Sequence, residues 1–324
     1  MNKLGFFLRR LAQGVVTLLL IAVLNFVLIR AAPGDPALLL AGETGAADEV
    51  FVQRLRQQFG LDEPMLNQLT TYLGQLLRLD LGVSYRQQQP VLDLILERLP
   101  ATLLLTGTAF MLSLIAGVSL GVWASSHVGS WRDRAIGILA TLSYATPLYW
   151  LALVAVLVFA VWFPWLPAFG YESVGVNDAG WRHWVDVAHH LVLPVTVLSL
   201  YYTAIYTRMT RASMLEVAHQ DFVRTALAKG LPPRRVQRAH VLRNALLPVV
   251  TLAGLQAAAM VGGAVLIETV FAWPGIGRLL FDALAQRDYN LLLGTFLVTA
   301  SLAVTFNIIT DMVYTWVDPR IELS

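Results

Sequence analysis

The stretch DFVRTALAKGLPPRRVQRAHVLRNALLP, Asp221 to Pro248, is densely basic and helix-forming, yet apolar runs long enough to cross a bilayer flank it on both sides. A polar bridge between two membrane spans needs a reason, and the rest of the chain supplies the frame for it. Of 324 residues, 57% are hydrophobic and only 14% charged, against about 25% charged in an ordinary soluble domain. Lipid rather than water must solvate much of this surface. The absence of cysteine excludes disulfides, thiol catalysis and thiolate-held metal.

A bilayer core takes about 20 apolar helical residues. Leu11 to Ile29 carries no charge and follows Lys3, Arg9 and Arg10. Alone it would fit a signal peptide, but its length and the later apolar runs favour a retained first span. Further spans are expected at about 101–125, 135–163, 187–207, 244–270 and 291–317, six in all. The chain is therefore expected to be an all-α polytopic membrane protein. Its organisation divides into 1–30 (N-terminal end and first span), 31–100 (an extracytoplasmic helical loop) and 101–324 (the membrane core, with a cytoplasmic loop at about 208–243). Within the first loop, DEVFVQRLRQQFG, PMLNQLTTYLGQLL and PVLDLILERL each read as a short amphipathic helix, the last two opening on a proline.

Basic residues orient the spans. Lys3, Arg9, Arg10, Arg132, Arg134, the eight between Arg208 and Arg243, and Arg320 make fourteen on one side. The opposite short loops hold three: Arg182, Arg278 and Arg287. Both termini and the bridge are thus expected in the cytoplasm. The small basic surplus follows topology, so no nucleic-acid partner is expected.

Chemistry-bearing motifs are sparse. No Walker A string, metalloprotease helix, nucleophile elbow or dinucleotide fingerprint occurs. No catalytic residue is assigned, and any ATP hydrolysis belongs to another chain. His183, His189 and His190 cluster beside Trp181 and Trp184 at the outer end of the fourth span. The aromatic neighbours point to interfacial anchors rather than metal ligands. Glu268 and Asp311 are ionisable residues inside spans, functional candidates by default. Both lie near an interface, where snorkelling or a structural hydrogen bond is the simpler role.

The bridge itself reads as a helix from Met214 to Lys229, ended by Gly230 in the left-handed conformation. Leu231 and Pro232-Pro233 then open a second helix carrying Arg234, Arg235 and Arg238. Such an elbow suits a groove on a soluble partner; a solvated loop is the plain alternative.

These residues resemble the coupling loop of ABC importer permeases, in the form found in the oligopeptide/dipeptide/nickel family. Arg224, Thr225 and Ala226 stand at the E-A-A positions, and Gly230 at the glycine. His240 and Leu242 stand at the I and L of I-x-L-P, with Arg243 in place of the proline. Further blocks resemble the same family. They are RAAPGDPA (Arg30–Ala37), FGLDEPMLNQLTTYL, LDLGVSY with Leu79 in place of a glycine, ETVFAWPGIGRLLFDALAQRDYN with Asn290 in place of a proline, and FNIITDMVYTWVDPRI.

The resemblance implies a six-span type I importer subunit of a bacterial inner membrane, both ends cytoplasmic. Its implied partners are a second, homologous permease chain, two cytoplasmic ATPases that bind ATP and Mg, and an extracytoplasmic solute-binding protein. This chain would bind no cofactor or metal. Asp221, Arg224, Thr225, Ala226, Ala228, Lys229, Gly230, Leu231, Arg235 and His240 would couple to an ATPase. Trp273, Pro274, Gly275, Gly277, Asp288 and Tyr289 would shape the outer gate or dock the receptor, a tight turn being the other reading. Small peptides are the expected cargo, with nickel or another metal-chelate as the alternative. A proton-coupled carrier is disfavoured because no charged relay lies at mid-membrane.

Overall fold

The computed structural model describes residues 3–31, 53, 63–173, 175 and 180–317. The expected helix at Asp48–Gly60, the PGDP turn, the side chain of Asp311 and the closing DPR lie outside the described residues. The described part is helical: α1 (Lys3–Ala31), α2 (Met65–Leu77), α3 (Val91–Ser125), α4 (Trp131–Ala145) and α5 (Leu148–Val156, widening into a π turn at Leu157–Trp162). Then come α6 (Trp181–Ala218), α7 (Asp221–Ala228) and α8 (Pro233–Val236). A π turn at Gln237–Leu242 carries α8 into α9 (Arg243–Val270), followed by α10 (Ile276–Ala285) and α11 (Tyr289–Val317).

Among the described residues five helices are long and apolar enough to span a bilayer, and the α4–α5 pair makes a sixth if counted as one bent span. That count matches the six expected, but three boundaries differ. The helix expected at PVLDLILERL is not separate: α3 runs from Val91 through Pro100 to Ser125, so the 100/101 division falls inside one helix. The third span is broken, α4 and α5 meeting at 102°. Thr146 is extended, with ψ 128°, as the residue before a proline tends to be, and Pro147 opens α5. Finally, the bridge helix expected from Met214 to Lys229 is two helices, because α6 ends at Ala218 and α7 begins at Asp221.

Hydrophobic area does not hold apolar helices together in lipid, since the tails are as apolar as leucine; close packing of small residues does. Here α3 lies on α6 through Gly117 and Gly121, a pair at GxxxG spacing. A Cβ added at Gly117 would lie 2.5 Å from Tyr206 Cβ and 3.0 Å from the Thr203 carbonyl. One at Gly121 would lie 2.5 Å from Thr210 Cβ and 2.8 Å from the Thr207 carbonyl. Around this seam sits the main apolar cluster, including Leu105, Ala109, Leu198, Tyr202, Tyr206 and, from the far end, Trp273.

Four helix ends among the described residues share one cap. In each, a left-handed residue donates its N–H three back while the next donates five back, the Schellman arrangement. Gly230 donates to Leu227 at 2.9 Å and Leu231 to Ala226 at 3.4 Å. Leu79 with Asp80, Ala272 with Trp273, and Arg287 with Asp288 repeat the pattern. Only Gly230 (φ 78°) is a glycine; Leu79 sits at φ 58°, Ala272 at 50° and Arg287 at 56°. This explains why the related motif carries glycine where this chain has Leu79. That side chain is 69% exposed, so it recovers little by packing. Leu79→Gly is expected to relieve about 1–2 kcal/mol of left-handed strain against about 0.5–1 of added chain entropy. The melting temperature of the purified protein should rise by roughly 1–3 °C; a fall would overturn the strain account.

Candidate functional sites

The elbow. α7 rests on the ends of its own spans through Val223 and Ala226, which join Met214, Val217, Val236, Val241 and Ala245 in one apolar cluster. Val122 at the end of α3 packs against it, as do Leu231 and Leu242. The break after Ala218 resets the helical phase, so the i, i+3 pair Val223/Ala226 faces inward. Asp221, Phe222, Arg224, Thr225, Leu227, Ala228, Lys229 and Gly230 then face out.

Two corrections follow for the expected contact residues. Ala226 is buried against its own chain and Leu231 is half-buried, so both support the elbow rather than present it. Phe222 and Leu227, apolar residues of the same helix, are 40% and 47% exposed. At about 100° per residue they flank the buried Val223/Ala226 stripe on either side, while Asp221, Arg224, Thr225 and Ala228 lie on the face opposite it. The Arg224–Asp221 ion pair, at 3.8 Å and almost fully exposed, contributes little. Arg235 is exposed and His240 half-buried on the second arm, where Gln237 donates to Ser126 Oγ at 2.6 Å. At Gly230 an added Cβ would meet nothing within 4 Å; glycine is required there by φ, not by space.

The outer knot. At the other end of α9 the expected outer segment folds back on Glu268, which is fully buried. Its carboxylate accepts from Thr102 Oγ1 at 2.7 Å and from the Arg278 N–H at 3.0 Å, with the Gly277 N–H also bonded to it. The Thr102 hydroxyl in turn accepts from the Ile276 N–H at 2.8 Å. The carboxylate thus caps α10, a favourable place for negative charge.

This accounts for both glycines. A Cβ at Gly275 would overlap the Glu268 carboxylate, and one at Gly277 would lie 2.6 Å from Val265 Cα. The reason is space, since Gly275 has φ −101°. Trp273 is fully buried; its indole N–H donates to the Ala101 carbonyl at 2.9 Å, and Tyr171 tilts over it with ring centres 4.9 Å apart. Pro274 is half-buried.

A second clasp closes the same face. Asp288 caps α11, accepting from the Leu291 N–H at 3.2 Å. Its other oxygen accepts from Ser84 Oγ at 2.5 Å and from the Arg86 N–H at 3.3 Å. Asn290 donates to the Val83 carbonyl at 3.0 Å, a bond the proline of related motifs has no hydrogen to make. So the LGVSY and RDYN blocks, some 200 residues apart in sequence, are one structure. Trp273, Gly275, Gly277 and Asp288 are spent on holding it, while Tyr289 is half-buried at its edge.

The three clustered histidines of the sequence do not converge. His183 meets Glu172 at 3.0 Å, His189 bonds the Trp165 carbonyl at 3.1 Å, and His190 bonds the Asp186 carbonyl at 2.9 Å. Among the described residues no group of His, Asp and Glu is placed to hold a metal.

Residues 117–323 match the family described as binding-protein-dependent transport system inner membrane component. Residues 3–106 match the N-terminal part of a binding-protein-dependent transport system membrane component. The chain is 41% identical over 315 residues to a Brucella abortus protein named as a peptide transport system permease, covering 97% of this chain and 98% of that one. It is 37% identical over 336 residues to the dipeptide transport system permease protein DppB of Escherichia coli, covering 98% and 99%. Among solved structures, an inward-facing MetNI methionine ABC transporter chain superposes with a TM-score of 0.55 at 15% identity, over 70% of this chain and 97% of that one. That last likeness speaks for the fold.

Proposed function

We propose a working role for this chain from the fact that it belongs to the family of binding-protein-dependent transport system inner membrane components, the permeases of ABC importers. It is the transmembrane subunit of an ATP-driven importer of small peptides, a cargo supported by the names its relatives carry. It forms half of the translocation pathway with a second, homologous permease chain in a bacterial inner membrane, both termini cytoplasmic. Hydrolysis of ATP with Mg takes place on two separate cytoplasmic ATPase subunits. An extracytoplasmic solute-binding protein delivers the cargo to the opposite face.

The observation that carries this reading is the elbow: a short helix braced on three span ends, with Arg224, Thr225 and Ala228 on its outward face and the part-exposed Phe222 and Leu227 at its margins. Braced from behind, it transmits displacement instead of absorbing it. Closure of the ATPase dimer then shifts the spans between inward- and outward-facing states. Asp221, Thr225, Ala228 and Gly230 complete the contact, and Arg235 and His240 flank it. The clasped outer knot, with Tyr289 and Pro274 at its edge, shapes the outer gate or the receptor-docking face.

Gly230→Pro tests it. Proline is locked near φ −65°, whereas Gly230 has φ 78° and its N–H is bonded to Leu227. In a reconstituted complex, stimulation of ATP hydrolysis by peptide-loaded binding protein should fall at least about ten-fold while the subunits still co-purify. A variant that remains fully coupled reduces the elbow to a docking surface and overturns the mechanism.

A further inference from the structure

The broken third span has no member in the apolar cluster that braces the elbow, yet it is fastened to the same body by a charged clasp. Asp133, in the first turn of α4, has a side chain only 8% exposed. Its Oδ1 accepts from Arg211 Nε at 2.6 Å and its Oδ2 from Arg211 Nη2 at 2.9 Å, a two-bond fork. Oδ2 also accepts from the Gly129 N–H at 3.0 Å, so the carboxylate holds the loop ahead of α4 as well. Arg211 lies two turns before the end of α6, the helix that leads into the elbow; Met214 and Val217 beyond it pack against Val223 and Ala226. A second attachment sits three residues back, where the Arg208 guanidinium lies 4.4 Å from the centre of the Tyr144 ring.

A two-bond guanidinium–carboxylate fork fixes orientation as well as distance, which a single apolar contact does not. The carboxylate is buried while the Arg211 side chain is 35% exposed, so what the fork adds is a fixed orientation between the two helices. We infer that the Asp133–Arg211 fork is the strut that makes α4 follow the elbow, so that the nucleotide-driven displacement reaches the broken third span. These are positioning residues, acting through the helices they join. The inference rests on the coupling function proposed above, and its test separates the two.

The chain has no cysteine, so paired spin labels can be introduced cleanly. Exposed positions are Ile138 on α4, Arg238 on the second arm of the elbow and Leu284 on α10. Distances are read in the full complex, with the permease and ATPase chains encoded beside it, before and after trapping with a non-hydrolysable ATP analogue. In the unaltered clasp, Arg238–Leu284 should change on trapping while Ile138–Arg238 stays fixed. In Asp133→Asn, Ile138–Arg238 should broaden and shift on trapping, and peptide uptake per ATP hydrolysed should fall about ten-fold. Arg211→Lys, which keeps the charge and loses the fork, should fall between and serves if Asp133→Asn does not assemble. An Arg238–Leu284 distance indifferent to nucleotide overturns the coupling function, and the strut with it. A moving elbow with Ile138–Arg238 unfixed in the unaltered chain, or still fixed in both variants, overturns the strut alone.

Discussion

Glu268→Ala is expected to abolish accumulation of the folded chain. The buried carboxylate satisfies the Thr102 hydroxyl and the Arg278 and Gly277 N–H groups at once, and Thr102 needs that acceptor to stay oriented toward Ile276. Each buried donor left without a partner costs about 1–3 kcal/mol, so the removal costs roughly 3–5 kcal/mol even with some relaxation, a large share of the 5–15 kcal/mol that keeps a domain folded. Glu268→Gln keeps the shape but turns one acceptor into a donor, and should lose about 1–3 kcal/mol. Yield and monodispersity of detergent-extracted protein, followed by melting, read both. An alanine variant as abundant and as heat-stable as the parent would show that α10 is held by something other than this knot. The same expectation bears on the role proposed for this segment: Trp273, Gly275 and Gly277 hold it together, leaving Pro274 and Tyr289 half-buried at its edge.

The second large effect is expected at the α3–α6 seam. At Gly121 the obstruction to a side chain includes the Thr207 carbonyl, 2.8 Å from the added Cβ, and at Gly117 the Thr203 carbonyl at 3.0 Å. Backbone cannot rotate out of the way as a side chain can, so the helices must separate. Gly121→Ala should cost about 1–3 kcal/mol, and Gly121→Leu should prevent the helices from closing. Gly107, on the same helix, has nothing within 4 Å of an added Cβ. There alanine should be neutral or stabilise by up to about 1 kcal/mol, the difference in helix propensity. Melting of the three variants side by side decides: equal behaviour of Gly121→Ala and Gly107→Ala would remove the seam from the account.

How much of this was legible beforehand varied with the range of the interaction. The spans announce themselves, because one helix must satisfy its own backbone in lipid and must therefore be apolar along its whole length. Gly230 was legible as a helix end for the same local reason, a glycine followed by Leu231 and two prolines. The seam has a local signal too: GVSLG, Gly117 to Gly121, is a small-xxx-small string inside an apolar run. The inward turn of Ala226 was not legible, since it depends on the break at His219–Gln220, and no proline or glycine marks that break.

Sequence by itself determined the membrane solvent, the number of crossings, the place of the elbow and its left-handed stop. All of these are decided within a few turns of one helix, by hydropathy and by φ. Only the tertiary structure decided which elbow residues look outward and why Gly275 and Gly277 are glycines. It alone showed that Ser84 and Asp288 form one clasp and that Asp133 and Arg211 form another. The two clasps join atoms 78 and 204 residues apart, and the other answers turn on where one helix folds back against the next; such meetings are fixed by how rigid helices pack, not by any local preference of the chain.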